Sequence, residues 1–230
     1  MAQASPLEIH PFMADRFAQA VVPAAMILVV DHDRRPLDRL RVHCEKADAV
    51  WMDLSALRAA LDEAARAVGH LPVGQPPDEL IAVHTMGKDP RTGRDAIADP
   101  PEWAVALNRV AATFCVATKR TSGWNARILE TTDDEETLEK FAEAAKKMHP
   151  PAFEWYAKLA SGLLAWMQGG ALRGFLTGAE VDLFRKELDA TADQMFLWKE
   201  KGADFHRRKL QAYCYLANKH RLGLAAVEHR

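Results

Sequence analysis

The residues able to do chemistry in this chain fall into a few short stretches. Asp31-His32-Asp33 sets two carboxylates and an imidazole side by side, the donor types of a metal site or a general acid–base pair. His43-Cys44 joins an imidazole to a thiol, and a cysteine nucleophile needs a base within hydrogen-bond reach. His84, on the apolar stretch "ELIAVHTM" (79–86), could meet His43 at a zinc ion if the two lay on neighbouring strands. An enzyme built on this chain would carry its metal or acid–base site near Asp31, His32, His43 and His84. No further ligand stands at a spacing that demands a metal. Turn chemistry accounts for the tripeptide, and a buried thiol beside an exposed imidazole accounts for the dipeptide. The expectation is therefore no metal and no cofactor.

A second stretch, "MGKDPRTGRDAIADPP" (86–101), sets Lys88, Arg91 and Arg94 among glycines and prolines, a loop rich in anion donors. The phosphate-cradling loop of nucleotide hydrolases needs a Lys and a hydroxyl after its second glycine, where this chain has Arg94 and Asp95. The dinucleotide fingerprint is absent as well. A solvated connection with some affinity for anions is the expectation.

The third stretch is the most suggestive. Between residues 199 and 221 stand seven Lys or Arg against Glu200 and Asp204, with Phe205, Tyr213 and Tyr215 among them. Cations and aromatic faces are what nucleic acids require, and a cationic face also suits an acidic protein surface. The partner-binding set is read as Lys199, Lys201, His206, Arg207, Arg208, Lys209, Tyr213, Lys219 and Arg221. In a contact helix the cationic heads of His206 to Lys209 should face solvent while Phe205 and Leu210 anchor inward. A helix that merely packs its apolar side and leaves its cations in water explains the same residues.

These stretches need elements to hold them. The chain has 230 residues, 49% hydrophobic and 27% charged, with a net charge of −2. That composition describes a folded protein with a real core and no global field toward nucleic acid or membranes. "AMILVVD" (25–31) reads as a β-rich run, and "LDRLRVHC" (37–44) as a strand pairing back on it. "DLSALRAALDEAARAV" (53–68) is an amphipathic helix with Leu54, Leu57, Ala60, Leu61 and Ala64 on one side. Residues 79–86 read as a strand, 101–112 as a helix, and "ATFCVATKR" with "WNARILE" as a hairpin across 121–123.

After residue 132 the pattern is helical. Thr132 with Glu135 forms a capping box, followed by Leu138, Phe141, Ala142, Ala145 and Met148 on one face. "FEWYAKLASGLLAWM" (153–167) is apolar almost all round and predicts a central helix. Phe153, Trp155, Leu159, Leu163, Trp166, Phe184 and Leu188 are expected to be buried together. Thr177 with Glu180 makes a second capping box ahead of Val181, Phe184, Leu188, Ala192 and Met195, in a helix reaching about Trp198. The fold class is α+β: a mixed region with a small, mainly antiparallel sheet over 1–131, then an all-helical, bundle-like region over 132–230.

Three widely spaced cysteines, Cys44, Cys115 and Cys214, form no disulfide or zinc pattern and fit a reducing cytoplasm. The longest apolar run, residues 20–30, is too short to cross a bilayer and lacks the flanks of a signal peptide. The leading functional expectation is a cytoplasmic accessory or regulatory protein that binds a protein partner through the C-terminal segment. Direct nucleic-acid binding by the same residues is the second, and the enzyme the third.

Overall fold

A computed structural model describes residues 7–47, 53–74, 100–115, 134–161, 171–191, 195–200 and 202–228. In chain order the elements are β1 (Leu7–Phe12), α1 (Ala14–Arg16), a π-helical turn (Phe17–Val21), α2 (Val22–Asp31), α3 (Arg35–Ala47), α4 (Leu54–Val68) and α5 (Glu102–Cys115). They continue with α6 (Asp134–Met148), α7 (Pro150–Ser161), β2 (Leu172–Leu176), α8 (Gly178–Ala190), α9 (Met195–Glu200), α10 (Asp204–Lys219) and β3 (Gly223–Glu228). The fold is α+β, mostly helical with one small sheet. Two compact units divide it. One comprises Met1–Ala14, Lys119–Gly162 and Arg173–Arg230, the other Asp15–Thr118 and Leu163–Leu172. The boundary expected near residue 131 lies outside the described residues.

In the first unit the sheet has the order β1-β3-β2. β1 pairs antiparallel with β3, Leu7 opposite Glu228 and Phe12 opposite Gly223. β2 runs antiparallel to β3 as well, since Arg173 reaches Glu228 at one end while Leu176 lies against Gly223 at the other. Gly223 is required there: a Cβ would sit 2.1 Å from the Leu176 carbonyl oxygen. Both β2 and β3 fall in the stretch whose periodicity reads as helical.

Helices α6, α7, α8 and α10 bury their apolar stripes in one cluster with the sheet. Its hub is Phe141 on α6. Trp198 from α9 stacks on it, with ring centroids 5.5 Å apart, and Phe184 from α8 meets it edge-on at 6.0 Å. Tyr156 from α7 packs at 6.1 Å. Such aromatic contacts add to area burial. Leu159, Phe184 and Leu188 are buried as their spacing predicts. Phe153 and Trp155 are half-buried at the edge of the cluster, whereas Leu163 and Trp166 lie outside the described residues.

The capping box at Thr177 is present. Its hydroxyl accepts from the Glu180 amide at 3.3 Å, and Glu180 accepts from the Thr177 amide at 2.9 Å. Burial alone would raise the Glu180 carboxyl, but Lys158 and Thr177 together hold it below its ordinary value. Thr132 and the Glu135 side chain, expected to form the first box, lie outside the described residues. So do Ala192 and the Met195 side chain, and α8 ends at Ala190 rather than running on to Trp198.

In the second unit α4 forms as its stripe predicts, with Leu57, Ala60, Leu61, Ala64 and Val68 buried. Asp53 caps it by accepting from the amides of Ser55 and Ala56, both at 3.0 Å. α5 packs on α4 and extends through Cys115, so the first four residues of the expected hairpin are helical. The rest of that hairpin, and the strand expected at 79–86, lie outside the described residues.

Residues 25–31 and 37–44 are helical, not strands. Phe17, Val21, Ala24, Ala25, Leu28 and Val29 are the buried positions, a three-and-four spacing that only a helix turns to one side. In α3, Leu37 and Cys44 are buried two turns apart. The β-branched residues of the first run favour a strand weakly, and burial of one helical face outweighs that preference.

Because Phe141 touches α7, α8 and α9 at once, Phe141→Ala is expected to cost about 3–5 kcal/mol in urea denaturation. A cost below about 1 kcal/mol would show that the cluster closes without it.

Candidate functional site: the outward face of the last long helix

Helix α10 carries most of the C-terminal cations, and its rotation decides which of them meet solvent. Asp204, in its first turn, is only 4% exposed, and so is Arg207. Arg207 donates from Nη2 to Asp204 Oδ1 at 3.1 Å and from Nη1 to the Leu188 carbonyl at 3.2 Å. Arg208 reaches the other carboxylate oxygen at 3.1 Å from the surface, with 61% of its side chain exposed. One buried carboxylate thus holds two guanidiniums, one inside and one outside. An acid in the first turn also suits the positive end of the helix dipole.

This arrangement corrects the expectation that His206, Arg207, Arg208 and Lys209 face solvent together. His206 is buried, its Nδ1 3.3 Å from the Thr137 hydroxyl of α6. Lys209 is fully enclosed, its ammonium 6.0 Å from the centre of the Tyr213 ring. Tyr213 is buried. Phe205, expected to anchor inward, is exposed instead, its ring edge-on to His206 at 5.4 Å. Leu210 is buried as expected. Of the expected contact set, Lys199, Arg208, Lys219 and Arg221 face outward, and Lys201 lies outside the described residues.

What remains outside has a regular spacing. Phe205, Arg208, Tyr215 and Lys219 recur at three, seven and four residues, so they share one stripe of the helix. Tyr215 is 62% exposed. Asp204 is the one acid in α10 and it is buried, so the outward stripe carries cations and aromatic rings without a carboxylate of its own helix. The residue types are legible in the sequence and the rotation is not, because it is set by contacts of Arg207 and His206 with α8 and α6.

The other stretches resolve differently. Asp31-His32-Asp33 joins α2 to α3. His32 takes a left-handed conformation, φ 53°, at the end of α2, while Asp33 accepts from the Arg35 amide at 2.9 Å and pairs with its guanidinium. That hydrogen bonding holds the Asp33 carboxyl at about 2. These are the duties of a helix–helix connection. On α3, His43 is exposed and Cys44 buried. Among the described residues no group of three or more His, Cys, Asp or Glu could hold a metal ion. His84 and the loop residues Lys88, Arg91 and Arg94 lie outside the described residues. No described helix is long and apolar enough to cross a membrane.

No protein-family model, curated protein or solved structure matches this chain.

Two outcomes follow from the α10 geometry. Asp204→Ala strands the Arg207 charge in the interior and should cost about 3–5 kcal/mol of stability. Arg208→Ala, at the exposed end of the same carboxylate, should cost less than about 1 kcal/mol. Equal losses in urea titrations would contradict the burial of Arg207.

The second outcome concerns pH. Burial pushes the His206 imidazole below its ordinary 6.5, with Lys209 and Lys140 acting in the same sense and Glu136 against them. The unfolded chain therefore binds this proton more readily than the folded one. The His206 contribution is intact above about 6.5 and is lost progressively as pH falls below that value toward the lower one of the folded state. His206→Gln should flatten the decline in melting temperature between neutral pH and about pH 5. An unchanged decline would show that other groups carry it.

Proposed function

We propose that the protein works as an accessory or regulatory factor by binding an acidic protein partner along the outward stripe of α10. The observation that carries this reading is Tyr215, a large ring left 62% exposed on the same face as Arg208 and Lys219. Tyr and Arg are the side chains that most often dominate the energy of protein contacts, because each combines area with directed hydrogen bonds. Lys199 and Arg221 lie at the margins, suited to steering an acidic partner. Buried thiols at Cys44 and Cys214 that form no disulfide are compatible with the cytoplasmic setting that belongs to this reading.

The same residues support a protein partner better than a nucleic acid. Sequence-independent binding of a nucleic acid draws its affinity from many phosphate contacts. With Arg207 and Lys209 turned inward, the described part of the segment offers four outward cations. A compact aromatic-and-arginine face needs no more than that for a protein contact.

Anisotropy titrations of a labelled Glu/Asp-rich peptide and a labelled single-stranded oligonucleotide test the reading. The peptide should bind, and Arg208→Ala with Tyr215→Ala and Lys219→Ala should weaken it by about tenfold or more while leaving the fold intact. Salt should act mostly on the association rate. Oligonucleotide binding with a steep log–log salt slope, and none to the peptide, would replace the protein partner by a nucleic acid. Binding of neither probe would overturn the proposal.

A further inference from the structure

A cleft of about 420 Å³ opens in the second unit, lined by Arg34, Arg41, Arg58 and Asp62, a volume in the range of small-ligand sites. At one end, Arg41 of α3 and Arg58 of α4 point their guanidiniums at a single oxygen. Arg41 Nη1 lies 2.5 Å and Arg58 Nη2 2.6 Å from Glu45 Oε1. Two cations from separate helices repel unless an anion stands between them. Glu45 stands between these two, and Arg41 has Asp38 as a more distant second anion, Nε 3.9 Å from Oδ1. Each guanidinium has five N–H donors, and each spends one on Glu45, leaving planar forks unfilled. The strength of these bonds, that from Arg58 first, keeps the Glu45 carboxyl below its ordinary value.

The opposite end has the reverse balance. Arg34 is gripped by both oxygens of Asp38, at 2.9 and 3.0 Å, and by Asp62 at 2.8 Å. One cation there faces two carboxylates. Asp38 is shared between Arg34 and Arg41, so the excess of positive charge is sharpest at Arg58, which pairs with Glu45.

We propose that this cleft binds a small ligand through its oxyanion, a carboxylate or phosphate, which takes the place now held by Glu45 between Arg41 and Arg58. Glu45 is an internal stand-in for that group. Its side chain is already a quarter exposed, so it can swing to solvent when a better-shaped anion fills both forks. The α10 stripe plays no part in this site.

The distinguishing variant is Glu45→Gln, which keeps the volume and removes the competing charge. Calorimetric titrations with inorganic phosphate and with succinate, at ionic strength balanced by chloride, read the result. Glu45→Gln should bind one or both anions about tenfold more tightly than wild type. Adding Arg58→Gln should abolish the gain, while Arg39→Gln, an equal charge change elsewhere on α3, should not. A response to phosphate alone assigns a phosphoryl ligand, and a response to succinate alone a carboxylate. If Glu45→Gln gains no affinity for either anion, or keeps its gain without Arg58, the pair is a structural bridge and the proposal fails. Should Glu45→Gln not fold, wild type against Arg58→Gln decides, since the Arg58 side chain is 62% exposed. Wild-type binding that Arg58→Gln abolishes supports the site, and binding of neither anion by wild type overturns it.

Discussion

Burial of the Asp204 carboxylate constrains the whole C-terminal surface. An ionised acid removed from water must be paired, and this one takes Arg207 from inside and Arg208 from outside. Both contacts lie within α10 and keep the buried carboxylate paired. Arg207 also donates to the Leu188 carbonyl of α8 and His206 meets Thr137 of α6, and these contacts to neighbouring helices fix the rotation of α10 about its axis. With that rotation set, His206, Lys209, Tyr213 and Cys214 turn inward. Burial pushes the Cys214 thiol up, which suits packing rather than reactivity. Phe205, Arg208, Tyr215 and Lys219 are what the rotation leaves for contact with anything else.

The core of the first unit supports that geometry. Phe141 gathers aromatic rings from three helices, and Leu210 and Ala217 of α10 belong to the same cluster. β3, reached two residues after the α10 turn, is the central strand of the sheet, and Gly223 lets it press against Leu176. Helix α10 is therefore held along its inner face and just beyond its C-terminal end. A surface presented on such an element is preorganised, which lowers the ordering cost of binding.

How much of this was legible depended on whether the signal was local. The α4 stripe and the Thr177–Glu180 box are local patterns, three or four residues apart, and both are present. The run at 25–31 misled because its β-branched residues suggest a strand, while the decisive spacing begins upstream at Phe17 and Val21. β1 and β3 left almost no trace. Leu7–Phe12 and Gly223–Glu228 stabilise each other across nearly the whole chain, and "GLAAVE" has little strand character of its own. The types of the candidate contact residues were plain, but their direction was not, because an inward-facing arginine is recognised only once its buried partner is known. The convergence of Arg41 and Arg58 on Glu45 was hidden for the same reason, since it required α3 to be a helix.

Tyrosine reactivity reports the α10 rotation most directly, because all three tyrosines of the chain have definite environments. Tyr156 and Tyr213 are buried and Tyr215 is open. Nitration of the native protein, followed by mapping of the modified peptides, should place the label on Tyr215 first, with Tyr156 and Tyr213 reacting only when the chain unfolds. Labelling of Tyr213 as fast as Tyr215 would mean that α10 is turned differently, and the Asp204 account of this surface would be wrong.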